Sequence, residues 1–304
     1  MVTAPTIAAA LLLLIPYFAA AFFPRAAVGW AARLPAALRL ALPALLSLSY
    51  LLVALSAGTF RWTWFALYAL LPVAIAGLLR LARQTDPPQA AAAEPAAEDG
   101  AEHGTWLDLL ILVVLGLAVD LRWFERAWPP HMAIFNKVLL LDAGIYGFVL
   151  IRQLGGTGFD LRLRLPDAGI GLREAAFYAP IAFALGLALG FLHIHAVWPG
   201  FGAIALAWIF TFFFIAVPEE LFFRGWLQNL LERRLGRRGA LFLTAALFGL
   251  AHFNKRTAFF NWRYVALAAL AGVFYGRAWR CRRSVGASAV THATVDAIWS
   301  LWLR

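Results

Sequence analysis

The sequence predicts an all-α protein, a polytopic transmembrane helical bundle of about eight to ten spans with a buried polar cavity in its C-terminal half. Three observations lead there. The 304 residues are 63% hydrophobic and only 14% charged, with a mean hydropathy of +0.76, which excludes an ordinary soluble domain. Apolar runs of bilayer-spanning length recur along the chain. The arginines gather in the short loops between those runs, and 13 Trp with 25 Phe suit interfacial belts and lipid-facing surfaces.

The runs fall near residues 7–23, 36–56, 62–79, 105–121, 132–151, 174–192, 201–223, 239–253, 262–278 and 284–303. The first follows Met-Val-Thr-Ala-Pro, with no Lys or Arg ahead of it. A signal peptide normally carries a positive n-region, so this run is expected to be a retained helix. The eighth is short and is expected to be partly re-entrant or to span only marginally. Residues 84–104 are rich in Pro, Ala and acidic side chains, a composition that buries little and reads as a linker. Residues 158–173 alternate apolar and basic positions at their start and suit an interfacial segment. The expected organisation is therefore an N-terminal group of three helices (1–83), a linker (84–104), accessory helices with the interfacial segment (105–173), and a core (174–304). No internal repeat is evident.

Charge sets an orientation. Arg25, Arg33, Arg80, Arg83, Arg152, Arg162, Arg164, Arg173, Arg233, Arg234, Arg237, Arg238, Arg277, Arg280, Arg282 and Arg283 fall in one set of alternate loops. The opposite set is sparser: Arg61, Arg122, Arg126, Lys255, Arg256, Arg263 and Arg304. The positive-inside rule then places the first set in the cytoplasm and both termini outside, in a membrane of bacterial inner-membrane type. The net charge of +10 is thus a topology signal, and nucleic acid is not an expected partner. The one cysteine, Cys281, excludes an internal disulfide framework and a Cys-based zinc cage.

The chemistry concentrates in the last hundred residues. Glu219 and Glu220 stand side by side in Phe-Phe-Phe-Ile-Ala-Val-Pro-Glu-Glu-Leu-Phe-Phe-Arg224. A carboxylate at the bilayer centre costs roughly 2.5–3.5 kcal/mol on insertion scales, so two neighbours there imply a use. Arg224 lies four residues after Glu220, on the same helical face. Glu219 is about 100° further round and free to point elsewhere. His252 follows Phe248 by four residues, and His292 precedes Asp296 by four. Helices joined by short loops pack as antiparallel neighbours, so these side chains are expected to converge on one cavity.

Such a set can activate water. A desolvated carboxylate serves as general base, with a His on a facing helix holding the other side of the water. A second His donates to the oxyanion that forms when water adds to an amide carbonyl. The plainer reading is that these polar residues are glue between helices, with Glu220–Arg224 a structural ion pair. The three sites together, and the unpaired Glu219, weigh against it.

The three motifs resemble those of the CPBP family, the type II CAAX prenyl endopeptidases and related bacteriocin-processing proteins. Glu219-Glu-Leu-Phe-Phe-Arg224 is similar to its EExxxR motif, Phe248-Gly-Leu-Ala-His252 to FxxxH, and His292-Ala-Thr-Val-Asp296 to its last motif, HxxxN or HxxxD. The resemblance covers roughly residues 175–304 and implies an intramembrane glutamate protease that needs no metal or other cofactor. Its substrate would be a membrane-anchored protein or peptide within the lipid bilayer. Carried over, Glu219 and His252 activate water, His292 and Asp296 line the oxyanion site, and Glu220 and Arg224 support the cavity. Asp296 replaces the Asn of the best-understood members. Since an ionised Asp repels an oxyanion, it must be protonated there or act by orienting His292.

Other readings stay open at this stage. A non-catalytic membrane partner or immunity protein could use the same fold. A proton-coupled transporter could use the acids as relays, although repeated halves are lacking. Zinc is conceivable through Glu219, His252 and His292, but there is no His-Glu-x-x-His helix. Asp108, Asp120 and Asp142 are expected in structural roles, with Lys137 pairing Asp142. His193 and His195 are expected in a wet loop. CAAX-type ends and C-terminal sorting segments of exported proteins are both candidate substrates, and the oligomeric state is open.

Overall fold

A computed structural model describes residues 3–86, 104–195, 197–255 and 260–303. Residues 87–103, most of the expected linker, lie outside them, as do Arg256 and Arg304. The described residues fold almost wholly into helices, without a strand. They divide into two compact units, Met1–Gly155 and Gly156–Arg304. Among the described residues, six stretches are long and apolar enough to cross a membrane: Ala4–Phe22, Ala36–Ser56, Trp62–Thr85, Ala133–Ile151, Leu165–Ala188 and Phe201–Leu250. The protein is therefore a polytopic helical membrane protein.

In the first unit, α1 (Ala4–Phe22), α2 (Pro24–Ala32), α3 (Ala36–Ser56), α4 (Trp62–Thr85), α5 (Trp106–Asp120) and α6 (Ala133–Ile151) follow in order. The run expected at 105–121 forms a helix of 15 residues, about 22 Å long at helical rise and short for a full crossing. Its start is set by Thr105 and Asp108. Asp108 N donates to Thr105 Oγ1 at 3.3 Å, and Thr105 N donates back to Asp108 Oδ2 at 2.7 Å, which satisfies two otherwise orphan amides.

The core of this unit gathers Leu13, Tyr50, Val53, Tyr68, Trp128 and Leu139. Trp128 Nε1 donates to the Tyr68 hydroxyl at 2.7 Å, and that hydroxyl reaches Asn136 Oδ1 at 2.9 Å. Large rings are thus buried without stranding these polar atoms. Arg152, fully buried, pairs with both Asp86 and Asp108. Asp86 also accepts from Gly104 N at 3.1 Å, so the two described flanks of the linker are tied together beside Arg152.

The expected Lys137–Asp142 pair is absent. Lys137 is exposed, whereas Asp142 is buried and neither of its carboxylate oxygens meets a hydrogen-bond partner among the described residues. Five residues at helical spacing put the two side chains about 140° apart, on different faces.

The second unit comprises α7 (Leu165–Ala188), α8 (201–235), α9 (237–250), α10 (Trp262–Arg282) and α11 (Val285–Trp302). The expected runs 201–223 and 239–253 lie in one helical stretch broken at Gly236, where φ is +68° and ψ 170°. That left-handed φ suits glycine, which bears no Cβ. The reversal there brings Phe248 back against Phe223, with ring centroids 5.0 Å apart. Within α8 the chain widens to π-helical turns at Phe212–Ala216 and Leu221–Gln228, either side of Pro218, Glu219 and Glu220. Proline removes an amide and crowds the carbonyl four residues back, and a widened turn relieves both.

Close helix contact depends on small residues. A Cβ at Gly171 of α7 would meet the Ala287 carbonyl and Val290 of α11 at 2.6 Å. With glycine there, Thr291 Oγ1 reaches the Gly171 carbonyl at 3.0 Å. Buried acids tie the helix ends: Glu174 pairs with Arg277 at 3.1 Å, and Glu232 pairs with Arg280 at 3.2 Å and Arg283 at 2.9 Å.

Candidate active site

The three motifs meet on α8, α9 and α11. Glu220 is fully buried and heavily engaged. Its Oε2 accepts from Arg224 Nε at 3.0 Å and lies 2.5 Å from the Ser288 hydroxyl, while its Oε1 lies 2.8 Å from His292 Nδ1. Arg224, equally buried, lays its guanidinium over the Phe248 ring, 5.3 Å from the centroid. The helical i,i+4 pair expected from the sequence is therefore present, and a second helix has joined it.

Glu219 is placed differently. Its side chain keeps 29% exposure and its Oε2 lies 3.9 Å from His292 Nε2, beyond hydrogen-bonding reach. That oxygen meets no hydrogen-bond partner among the described residues. The carboxylates of two adjacent residues thus approach opposite nitrogens of one imidazole. Asp296 Oδ2 approaches Nε2 as well, at 3.4 Å.

The orientation of His292 comes from stacking. Its ring lies on that of Tyr275, 4.6 Å between centroids and 16° from parallel, with Phe248 edge-on at 5.7 Å. His252 lies in the turn that follows α9 and is held by the end of that helix: Nδ1 is 2.8 Å from the Phe248 carbonyl. A carbonyl only accepts, so Nδ1 carries a proton and donates it there.

A cavity of about 320 Å³ opens beside these residues. Ala179, Ala182, Leu267, Ala271 and Trp299 contribute apolar walls, and His252, His292 and Asp296 supply polar groups. Glu219, Glu220 and Arg224 are not among the lining residues. Of the six residues singled out from the motifs, His252, His292 and Asp296 line the cavity, Glu219 and Glu220 flank His292, and Arg224 pairs with Glu220. Among the described residues, no group of three or more His, Cys, Asp or Glu is arranged to hold a metal ion. His193 and His195 lie in an exposed loop, where their amides donate to the Leu303 and Trp302 carbonyls.

Two contributors were not singled out from the sequence. Ser288 stands one turn before His292 and bonds both Glu220 and, at 2.9 Å, the Tyr275 carbonyl. Its i,i+4 spacing from His292 was a usable signal. Tyr275 gave none, because it lies on α10, outside the three motifs.

The stretch of chain that carries this buried acid–His–Arg centre is similar to one known family. In particular, residues 201–298 match the family model described as type II CAAX prenyl endopeptidase Rce1-like, in agreement with the resemblance of the motifs. Neither a curated protein nor a solved structure matches the chain.

Proposed function

We propose that this protein is an intramembrane endopeptidase that hydrolyses a peptide bond of a membrane-associated protein with a glutamate as base and no metal. The observation that carries the reading is the contrast between neighbours. Glu220 has donors from Arg224, Ser288 and His292 around it, whereas Glu219 Oε2 is unsatisfied beside His292 Nε2.

In this reading a water sits between Glu219 and His252 Nε2. Glu219 takes its proton as the oxygen adds to the carbonyl carbon. His292 Nε2 donates to the oxygen that gains charge, and Asp296 orients that ring. The intermediate collapses with cleavage of the C–N bond, and the proton held by Glu219 passes to the leaving amine. Glu220 and Arg224 keep the ring and helix in place.

The apolar walls of the cavity support a substrate that offers an apolar segment, as CAAX-type ends and C-terminal sorting segments both do. The proposed setting is a bacterial-type inner membrane with the arginine-rich turns at Arg237–Arg238 and Arg280–Arg283 in the cytoplasm.

The membrane-bound proteome of cells carrying the wild type, compared by mass spectrometry with that of a Glu219→Ala strain, should reveal uncut substrates in the variant. Purified protein in liposomes should cleave such a substrate, and Glu219→Ala and His252→Ala should each abolish cleavage. Full activity in both variants overturns the reading.

A further inference from the structure

Hydrolysis consumes one water per turnover, yet the cavity beside His252 and His292 is walled mainly by apolar side chains and would be filled by substrate. Polar residues recur on α8 at four-residue steps: Glu220, Arg224, Gln228 and Glu232. Arg224 Nε donates to Glu220 Oε2 at 3.0 Å and Gln228 Nε2 to Glu232 Oε1 at 3.3 Å, so the four form a file along the helix. The first three are fully buried, and Glu232 is 4% exposed in its side chain. Glu232 binds Arg283, whose side chain is 46% exposed. The file therefore runs from the catalytic carboxylates to the arginine-rich end of α10.

Its middle is unsatisfied. Arg224 Nη1 and Nη2, Gln228 Oε1 and Thr244 Oγ1 are all buried and meet no hydrogen-bond partner among the described residues. The pairing of Phe223 and Arg224 with Phe248 across the reversal sets the register of α8 against α9. Thr244, four residues before Phe248, shares its face of α9, and Gln228 follows Arg224 by four residues on α8. α10 makes room for this layer: a Cβ at Gly276 would lie 2.6 Å from Gln228 Oε1. Two donors, an acceptor and a hydroxyl along these facing stretches are the partners that buried water requires, since each water makes two to four hydrogen bonds. Left dry, each group would carry its own desolvation penalty.

We infer that the layer of Arg224, Gln228 and Thr244 binds internal water and supplies the hydrolytic site from the Glu232–Arg283 end, separately from the cavity that admits substrate. Gln228 and Thr244 act through the water they hold and are positioning residues. This assignment rests on the endopeptidase reading for its purpose, but the water itself can be tested without activity.

Cys281→Ser removes the only cysteine. In that background Thr244→Cys is compared with Ala245→Cys, since both positions are buried on α9. The probe is silver ion, close to water in size, and reaction is read as protection of the thiol from alkylation after denaturation. Cys at 244 should react at least about tenfold faster than Cys at 245, because only the first adjoins water. Equal protection at the two positions overturns the inference. With a cleaved substrate in hand, Thr244→Val should lower kcat on the order of tenfold with KM unchanged, and Thr244→Ser should restore it. Wild-type kcat in both Thr244→Val and Gln228→Leu also overturns it. A wild-type protein that cleaves nothing, with Cys at 244 still silver-reactive, sinks the protease reading and leaves the water layer standing.

Discussion

His292 presents Nδ1 to Glu220 Oε1 at 2.8 Å. This contact binds the last motif to the first, and it leaves Nε2 as the nitrogen that Glu219 and Asp296 approach. Two adjacent glutamates of the same chemistry thereby acquire different surroundings, and the differences are measurable.

Glu219→Gln should abolish cleavage, a loss of about 10²–10⁴-fold for removal of a general base, with the thermal midpoint in detergent close to wild type. Glu220→Ala should instead destabilise the protein by about 3–5 kcal/mol, because Arg224 is left buried without its counter-charge. A cleavage assay beside a thermal unfolding scan separates the two. Equal loss of stability in both variants would contradict the division.

Asp296 is 3.4 Å from His292 Nε2, in the place of an orienting group. An Asn amide oxygen can accept from the same nitrogen, so Asp296→Asn should keep activity within about tenfold of wild type. Asp296→Leu should lose about 10–100-fold, as expected for an orienting partner. The kcat values of the two variants decide this.

Ser288→Ala removes a hydroxyl that bonds a buried carboxylate. Hydrogen bonds to charged groups contribute about 1.5–3 kcal/mol, and a loss of that size is expected in chemical or thermal unfolding. Ser288→Thr, which retains the hydroxyl, tests whether the added methyl is tolerated.

The cavity should set which apolar group is accepted. Ala179→Phe places a ring in a wall that now carries a methyl group. KM for a bulky apolar substrate should rise by about tenfold or more, while a substrate with a smaller residue is affected less. Competition between two such peptides reads the shift directly.

The first unit offers a test independent of any substrate. Arg152 serves both Asp86 and Asp108 in a fully buried cluster. Arg152→Met should destabilise by about 3–5 kcal/mol, since two carboxylates lose their shared cation. Asp142→Leu should be neutral or stabilising, because it removes a carboxylate that has no hydrogen-bond partner.

Hydropathy and residue spacing determined a good deal without coordinates. They established a helical membrane protein, the Glu220–Arg224 and His292–Asp296 turns, and the helices on which the polar groups lie. Such features depend on intervals of three or four residues, which a helix turns into a shared face. The Lys137–Asp142 pair failed where that rule was stretched to five residues. Tertiary structure decided the rest. Which nitrogen of His292 meets which glutamate depends on a Tyr275 ring from another helix and on π-turns flanking Pro218. The layer of Arg224, Gln228 and Thr244 exists only because Gly236 folds α9 back on α8. None of these leaves a mark in local periodicity, because the distance between two helices is set by the side chains of both.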